Sequence, residues 1–77
     1  QWVDGNYRFT DIRIDNLMDF IRKRYRIEVE LDKAVNHSLL LTGTIRNDES
    51  IDAVIEKICF SSQLTYKKDG LHYLLLK

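Results

Sequence analysis

The sequence has no proline, only three glycines and one cysteine in 77 residues. A single cysteine excludes an internal disulfide and any zinc site built from several cysteines. The scarcity of proline and glycine indicates that few residues are spent on long loops. Cys59 falls on the apolar face of a predicted helix, where a thiol acts mainly as a small buried hydrophobic group.

Net charge is lacking as well, because 12 Lys and Arg residues balance 12 Asp and Glu residues. A neutral chain is poorly suited to binding nucleic acid by bulk electrostatic attraction. No apolar run approaches the roughly 18 residues that span a bilayer, and the start of the chain has no signal-peptide pattern. Because the chain starts on Gln1 rather than Met, we expect a fragment whose membrane segment, if any, lies upstream.

A repeated stretch is the main positive feature. Residues 14–21 recur 37 positions later as residues 51–58. In both copies the first, fourth, fifth and eighth residues are apolar, a spacing that places four side chains on one face of a helix. Each copy leads into a segment with period-two alternation, at 26–29 and 63–66. The repeat therefore predicts two helix-then-strand units, each preceded by a further strand.

In chain order the patterns predict β-α-β followed by β-α-β-β. The predicted helices cover 12–24 and 49–62, and the predicted strands cover 7–9, 26–31, 39–45, 64–68 and 71–76. We interpret 1–6 as the end of an incoming linker or strand, and 7–77 as one interaction domain with halves at about 7–31 and 39–77. The predicted fold class is α+β, with both helices packed on one face of a small mixed or antiparallel sheet.

Capping residues refine the helix boundaries. Asp11 is the predicted N-cap of the first helix, since its carboxylate can accept from unpaired backbone N–H groups. Asn47, Asp48 and Ser50 are all competent caps for the second helix.

The three glycines mark the predicted turns and one close approach. Asp4-Gly5 is a turn signal, and Asp69-Gly70 predicts a two-residue hairpin turn of type I′. Gly43 lies on the inward face of its strand, which indicates either a close approach of helix and sheet or a bulge.

Residues with catalytic or metal-binding chemistry are sparse. His37 and His72 lack partners at metal-ligand spacing, so each is interpreted as an ordinary surface residue. Ser61-Ser62 has no neighbouring base. The acidic group of Asp48-Glu49 and Asp52 suits capping and the helix dipole better than a cation site. We therefore predict no catalytic residue, no cofactor and no metal.

The last strand suggests a surface for protein binding. Its alternation predicts that Leu71, Tyr73 and Leu75 face the helices, so that Leu74 and Leu76 face outward. Outward leucines are either ordinary scatter or a patch that a partner covers, and a sheet edge can also add a partner's strand. The candidate protein-binding residues are Leu40, Leu74, Leu76, His72, Arg22 and Arg24.

The basic run Arg22-Lys23-Arg24 is the sharpest local charge feature. Small αβ sheets with exposed aromatics bind RNA, so an RNA-binding module is one alternative. However, cations are expected at a helix C-terminus from the dipole alone, and Asp15 and Asp19 lie on the same helix. We predict no nucleic-acid partner.

Apolar, aromatic and glycine residues also form a family-like pattern over nearly the whole chain. It consists of Trp2-x-x-Gly5-x-x-x-Phe9, Ile14-x-x-Leu17-Met18-x-x-Ile21-x-x-x-Tyr25-x-Ile27, Leu41-Thr42-Gly43-Thr44-Ile45, Ser50-Ile51-x-x-Val54-Ile55-x-x-Ile58 and Leu64-x-Tyr66-x-x-x-Gly70. This pattern resembles the C-terminal domain of FecR-type anti-sigma factors, in the form common in Bacteroidetes. The matching residues are structural, so the resemblance supplies no catalytic residues.

The resemblance implies a role in signalling across the cell envelope. FecR-type proteins cross the inner membrane once and hold an extracytoplasmic-function sigma factor on its cytoplasmic side. Their periplasmic C-terminal region senses a TonB-dependent outer-membrane transporter through the transporter's N-terminal signalling domain. The resemblance thus implies a non-enzymatic periplasmic interaction domain, with the sigma factor contacted by the missing N-terminal part and the membrane only by an upstream span. The alternative is a signalling domain of a secretin or of the transporter itself, whose fold the family is expected to share.

Two positions depart from the family pattern. The family usually has an acidic or polar residue where this chain has Phe20, and Arg22-Lys23-Arg24 is more basic than the pattern leads us to expect. We expect both differences to alter the surface and so to affect the choice of partner.

Overall fold

Two helices and six strands form the described part of the chain. The computed structural model describes residues 2–3 and 5–77, so Asp4 of the predicted first turn lies outside the described residues. The elements are β1 (Trp2–Val3), β2 (Asn6–Arg13), α1 (Ile14–Tyr25), β3 (Glu28–Leu31), β4 (Leu40–Ile45), α2 (Ile51–Ser62), β5 (Thr65–Asp69) and β6 (His72–Leu76). The two copies of the repeat coincide with the two helices.

Helix α1 begins later than predicted, and Asp11 does not cap it. Arg13 occupies the N-cap position, and no side chain bonds to the helix end there. Asp11 instead lies within β2 with a φ of 50°, where the pairing with β4 shifts between Phe9 and Ile12. The Asp11 backbone N–H donates to Oγ1 of Thr42 (3.0 Å). The cap prediction is wrong because Asp11 serves a bulge, for which Asp tolerates left-handed backbone.

Helix α2 begins with the predicted kind of cap. Of the three candidates, Ser50 occupies the N-cap position, and its Oγ accepts from the backbone N–H of Ala53 (3.2 Å). Both helices end on a left-handed residue, Arg26 (φ 54°) and Gln63 (φ 59°). These two residues are also 37 positions apart, so the repeat extends to the helix C-caps.

The strands form two three-stranded sheets. The first sheet has the order β1-β2-β4, and the second has the order β3-β6-β5. Strands β3 and β6 run parallel, whereas the other pairs are antiparallel. Each half of the repeat therefore gives its pre-helix strand to the first sheet and its post-helix strand to the second. The α+β class and the mixed strand pairing are confirmed, and the strands fall into two groups that the sequence prediction treated as one.

The core lies between the helices and the inward faces of these sheets. Helix α1 packs against β2 and β3, and α2 packs against β4 and β5. All four stripe residues of α1 are fully buried, and three of the four in α2 are buried. The core side chains are those of Phe9, Ile14, Leu17, Met18, Ile21, Ile27, Val29, Leu41, Ile45, Val54, Ile55, Ile58, Cys59, Tyr73 and Leu75.

Gly43 marks a close approach, but the approach is to a side chain of the neighbouring strand rather than between helix and sheet as predicted. A Cβ at this position would lie 3.2 Å from Cζ of Phe9 on the neighbouring strand β2. That separation is tight for carbon atoms in contact. Glycine therefore lets the Phe9 ring lie across β4 and enter the core.

The hairpin between β5 and β6 turns one residue later than predicted. Asp69 pairs with His72, so the two loop residues are Gly70 and Leu71. Gly70 has a φ of 62°, whereas Leu71 is not among the described residues with positive φ. A type I′ turn requires positive φ at both central residues, so the I′ prediction is wrong, and glycine at the first position matches type II′. Leu71 is 66% exposed, which corrects the prediction that it faces the helices.

Phe20 takes part in packing. Its ring stacks on that of Tyr7, with centroids 4.2 Å apart and planes 18° apart. The side chain is half-buried against the core. Because the ring is only partly covered, the expectation that this departure from the family pattern affects the choice of partner stays a prediction.

Candidate protein-docking surface

The outward face of the second sheet contains the predicted leucines. Strand β6 lies at its centre. Tyr73 and Leu75 are buried, so Leu74 and Leu76, whose directions alternate with theirs, lie on the opposite face and are half-buried. We call this outward surface of β3, β6 and β5 the β6 face. Because β6 is the central strand, its own backbone is paired on both sides, and the strand-addition idea applies only to its neighbours.

Charged residues surround the leucines on the β6 face. Leu74 pairs with Lys67 of β5 on one side and with Glu30 of β3 on the other. Nε2 of His72 lies 3.0 Å from Oε2 of Glu30, which is an ion pair when the imidazole is protonated. Leu76 pairs with Thr65. An apolar centre within a polar rim is the usual arrangement of a protein interface.

The remaining candidates lie outside the β6 face. Leu40 is 55% exposed, but it belongs to β4 of the first sheet. Nε of Arg22 donates to the Val29 carbonyl (2.8 Å), and the same guanidinium pairs with Asp19. These contacts attach the α1 side chain to the edge of β3. Arg22 therefore contributes to the fold.

Arg24 is likewise engaged within the molecule. Its Nη2 donates to Oδ1 of Asn47 (3.3 Å), and its guanidinium lies 5.6 Å from the centroid of the Tyr25 ring. Two of the three cations in the basic run thus make intramolecular contacts. This weakens the RNA-binding alternative, which relies on cations that are available to phosphates.

Three further surface residues, Lys67, Glu30 and Phe60, were not among the candidates predicted from the sequence. Lys67 and Glu30 flank Leu74, but their role is visible only once the strand register is known. Phe60 is 88% exposed on α2. It falls outside the repeated apolar stripe, and that offset was the available signal.

A polar cluster attaches α2 to β6 behind the β6 face. The Tyr73 hydroxyl donates to Oδ1 of Asp52 (2.6 Å), and Nζ of Lys68 lies 3.1 Å from both Asp52 oxygens. The hydrogen bond from Tyr73, followed by that from Lys68, lowers the pKa of the Asp52 carboxyl. Burial, and then the bond to Asp52, raise the pKa of Tyr73. The acid of the second repeat therefore positions the central strand.

Glu49 and Asp48, the other acidic residues near the start of α2, also make contacts within the fold. Oε1 of Glu49 accepts from the Arg46 backbone N–H (2.7 Å) and from Nζ of Lys57 (2.6 Å). Partial burial raises the pKa of the Glu49 carboxyl, but these bonds outweigh it and leave the pKa lowered. Oδ1 of Asp48 lies 3.8 Å from Nε of Arg46. Among the described residues, no group of three or more His, Cys, Asp or Glu side chains is arranged to hold a metal.

Cys59 is a buried thiol, and we expect it to resist alkylation in the folded protein. Burial, together with the charge of Glu56, raises its pKa to about 11. About a thousandth of the thiol is then ionised at pH 8, and only the thiolate reacts efficiently. An alkylating reagent should therefore label Cys59 of the native protein slowly, because the thiol is reached only when the surrounding structure opens. As a matched control, Cys59→Ala with Ser61→Cys, an exposed position of α2, should label at once. Equally fast labelling of both proteins would contradict a buried Cys59.

The family of the chain follows from its sequence. Residues 6–75 match the family model of the FecR C-terminal domain. The chain belongs to the FecR C-terminal family. The resemblance inferred from the apolar pattern is thereby confirmed over nearly the whole length, whereas a comparison with curated proteins gives no match.

Solved structures show the same fold. Two crystal structures, at 1.65 and 2.50 Å resolution, are of a proposed anti-sigma factor from Parabacteroides distasonis. Each superposes with a TM-score of 0.84 at 26% sequence identity, over 99% of this chain and 35% of that protein. The chain thus spans about a third of the length of the protein that it resembles. No helix among its described residues is long and apolar enough to cross a bilayer.

Proposed function

We propose that this FecR C-terminal domain is a non-enzymatic, periplasmic interaction domain of a membrane-anchored anti-sigma factor. The family match over residues 6–75 is the observation that carries the proposal, and the structural similarity to the proposed anti-sigma factor from Parabacteroides distasonis supports it. Residues 7–77 form the interaction domain in this proposal, and 1–6 end the connection from upstream. The upstream parts of the protein cross the inner membrane and contact an extracytoplasmic-function sigma factor.

The partner of the domain in this proposal is the N-terminal signalling domain of a TonB-dependent outer-membrane transporter. The β6 face supports docking of a folded protein. It combines the half-buried Leu74 and Leu76 with a rim of both charge signs. Half-buried leucines become fully desolvated only when a partner covers them, and the desolvated centre of an interface usually carries most of its binding energy. His72 belongs to the rim, and Leu40 remains a separate candidate on the first sheet.

Signal relay follows from docking. A loaded transporter changes the contact that its signalling domain makes with the β6 face, and the change passes through the upstream part of the protein to the sigma factor. The cluster of Asp52, Tyr73 and Lys68 lies directly beneath this face. It connects β6 to α2, so a displacement of the central strand would be transmitted into the helical layer.

Leu74→Asp combined with Leu76→Asp is expected to weaken binding to the signalling domain of the cognate transporter by about tenfold or more. The reason is that two carboxylates at the interface centre would have to be desolvated and that the apolar contacts of both leucines would be lost. Isothermal titration calorimetry with the isolated signalling domain measures the change. Leu71→Asp, at the exposed hairpin tip, is the matched control and should bind as the parent does.

Circular dichroism must first establish that the double variant is folded. If the folded variant binds with unchanged affinity, the β6 face is not the docking surface. If the parent protein itself binds no transporter signalling domain, the proposed partner is wrong.

A further inference from the structure

The four edge strands of the two sheets are not equally open. In the first sheet, β1 has only two residues, and Nζ of Lys57 donates to the Thr44 carbonyl on β4 (2.7 Å). In the second sheet, Nε of Arg22 donates to the Val29 carbonyl on β3 (2.8 Å). On β4 and on β3, a cationic side chain therefore donates a hydrogen bond to a backbone carbonyl. Protected edges of this kind resist pairing with another strand.

Strand β5 is the exception. Among the described contacts, none places a side chain on a backbone group of β5. The Leu75 carbonyl accepts from the backbone N–H of Asp32, which directly follows β3. Because successive residues of a strand point their backbone groups to opposite sides, the preceding residue, Leu74, directs its N–H and C=O towards β5. Leu74 pairs with Lys67. The alternate residues Tyr66 and Lys68 therefore direct their N–H and C=O groups away from β6.

The side chains at this edge differ in availability. Lys68 is engaged with Asp52 on the helix side of the sheet. Lys67 is exposed beside Leu74 on the β6 face, and no described ion pair includes it. A strand added at this edge would place one side chain directly opposite Lys67, where an acidic residue stabilises the pairing and a basic one destabilises it.

The same charge argues against a second copy of this chain as the occupant. In the fully overlapped antiparallel register, Lys67 would lie opposite Lys67 of the other copy. Like charges placed directly opposite each other disfavour a pairing. Pairing of β5 with β5 of a second copy is thus disfavoured, whereas pairing with a strand that carries an acidic residue is not.

We propose that the outer edge of β5 receives an extended segment of a partner protein, which adds as a further strand and places a carboxylate opposite Lys67. This rests on the proposed function in one respect, that the partner is a protein. Backbone bonds to Tyr66 and Lys68 supply the pairing, and the carboxylate selects the partner. The added strand would continue the β6 face, so both surfaces would contact one partner.

Nuclear magnetic resonance titration of the intact chain tests the edge without a transporter. The probes are two short, threonine-rich synthetic peptides that differ only in a central Glu or a central Lys. The largest shifts are expected at the amides of Tyr66 and Lys68. The Glu peptide should reach half-saturation at a concentration about two- to fivefold lower than the Lys peptide does. Lys67→Glu should reverse this preference, and Lys33→Glu, in an exposed loop, should leave it unchanged.

Several results would overturn the proposal. These are the absence of a saturable shift, shifts centred elsewhere, or equal midpoints for the two peptides. Shifts of the Tyr66 and Lys68 amides on concentrating the protein alone would assign the edge to a second copy. Because the leucine variants test the β6 face with a transporter domain and the peptides do not, either proposal can fail independently.

Discussion

Replacing Ile14 with alanine is expected to lower the free energy of unfolding by about 2–5 kcal/mol, the usual cost of truncating a fully buried isoleucine. Ile51→Ala, at the equivalent position of the second repeat, is expected to cost clearly less. Ile14 is completely buried, whereas Ile51 is only partly buried against the core. The cavity left by truncation is therefore larger in the first repeat. Urea denaturation followed by far-ultraviolet circular dichroism measures both losses.

A surface truncation calibrates this comparison. Phe60→Ala removes a larger side chain from the outer face of α2, and a change at an exposed site usually alters stability by less than about 0.5 kcal/mol. Equal losses at Ile14 and Ile51 would show that the two repeats pack equivalently in solution, contrary to the structure.

Tyr73→Phe is expected to lower the free energy of unfolding by about 1 kcal/mol, because it removes a hydroxyl whose hydrogen bond joins β6 to α2. The ring itself remains in the core, so packing is preserved. The variant should also be less sensitive to acid than the parent protein. Urea denaturation over a series of pH values measures both effects.

The direction of the acid effect follows from Asp52. The Tyr73 hydrogen bond, and then the Lys68 bond, hold the pKa of this carboxyl below its ordinary value of 3.8. Stabilisation from the pair is therefore present above the unfolded pKa and is lost as the pH falls through the folded pKa. In Tyr73→Phe the folded pKa lies closer to the unfolded one, so less stability is lost below about pH 4. Parallel acid profiles for the two proteins would refute this link.

Much of the fold was predictable because its signals are local. The apolar spacing of the repeat specified both helices, and period-two alternation assigned the faces of β6. The same alternation predicted that Leu74 and Leu76 point away from the core. Each of these inferences depends only on residues that are near one another in the chain.

The errors arose where a local signal had two structural uses. Asp11 carries the chemistry of a cap and the tolerance for positive φ of a bulge, and β2 uses the second property. Asp69-Gly70 could form either of two hairpin turns, and only the pairing of Asp69 with His72 decides between them. Period-two patterns show which way side chains point, but they do not show which strands are neighbours. The division into two sheets, and the positions of Lys67 and Glu30 beside Leu74, could therefore not be predicted from the sequence.

Strands of the first repeat pair with strands of the second repeat, so we expect the two repeats to fold together. β2 finds its long partner only in β4, and β3 finds its partner only in β6. A nascent chain that has produced the first β-α-β segment therefore lacks the long partner of β2 and has no partner for β3. We therefore expect neither half to form a stable subdomain, and the whole chain to gain or lose its structure in one cooperative step. A break in the connection between β3 and β4 would leave two pieces that are soluble as a folded protein only when they reassociate.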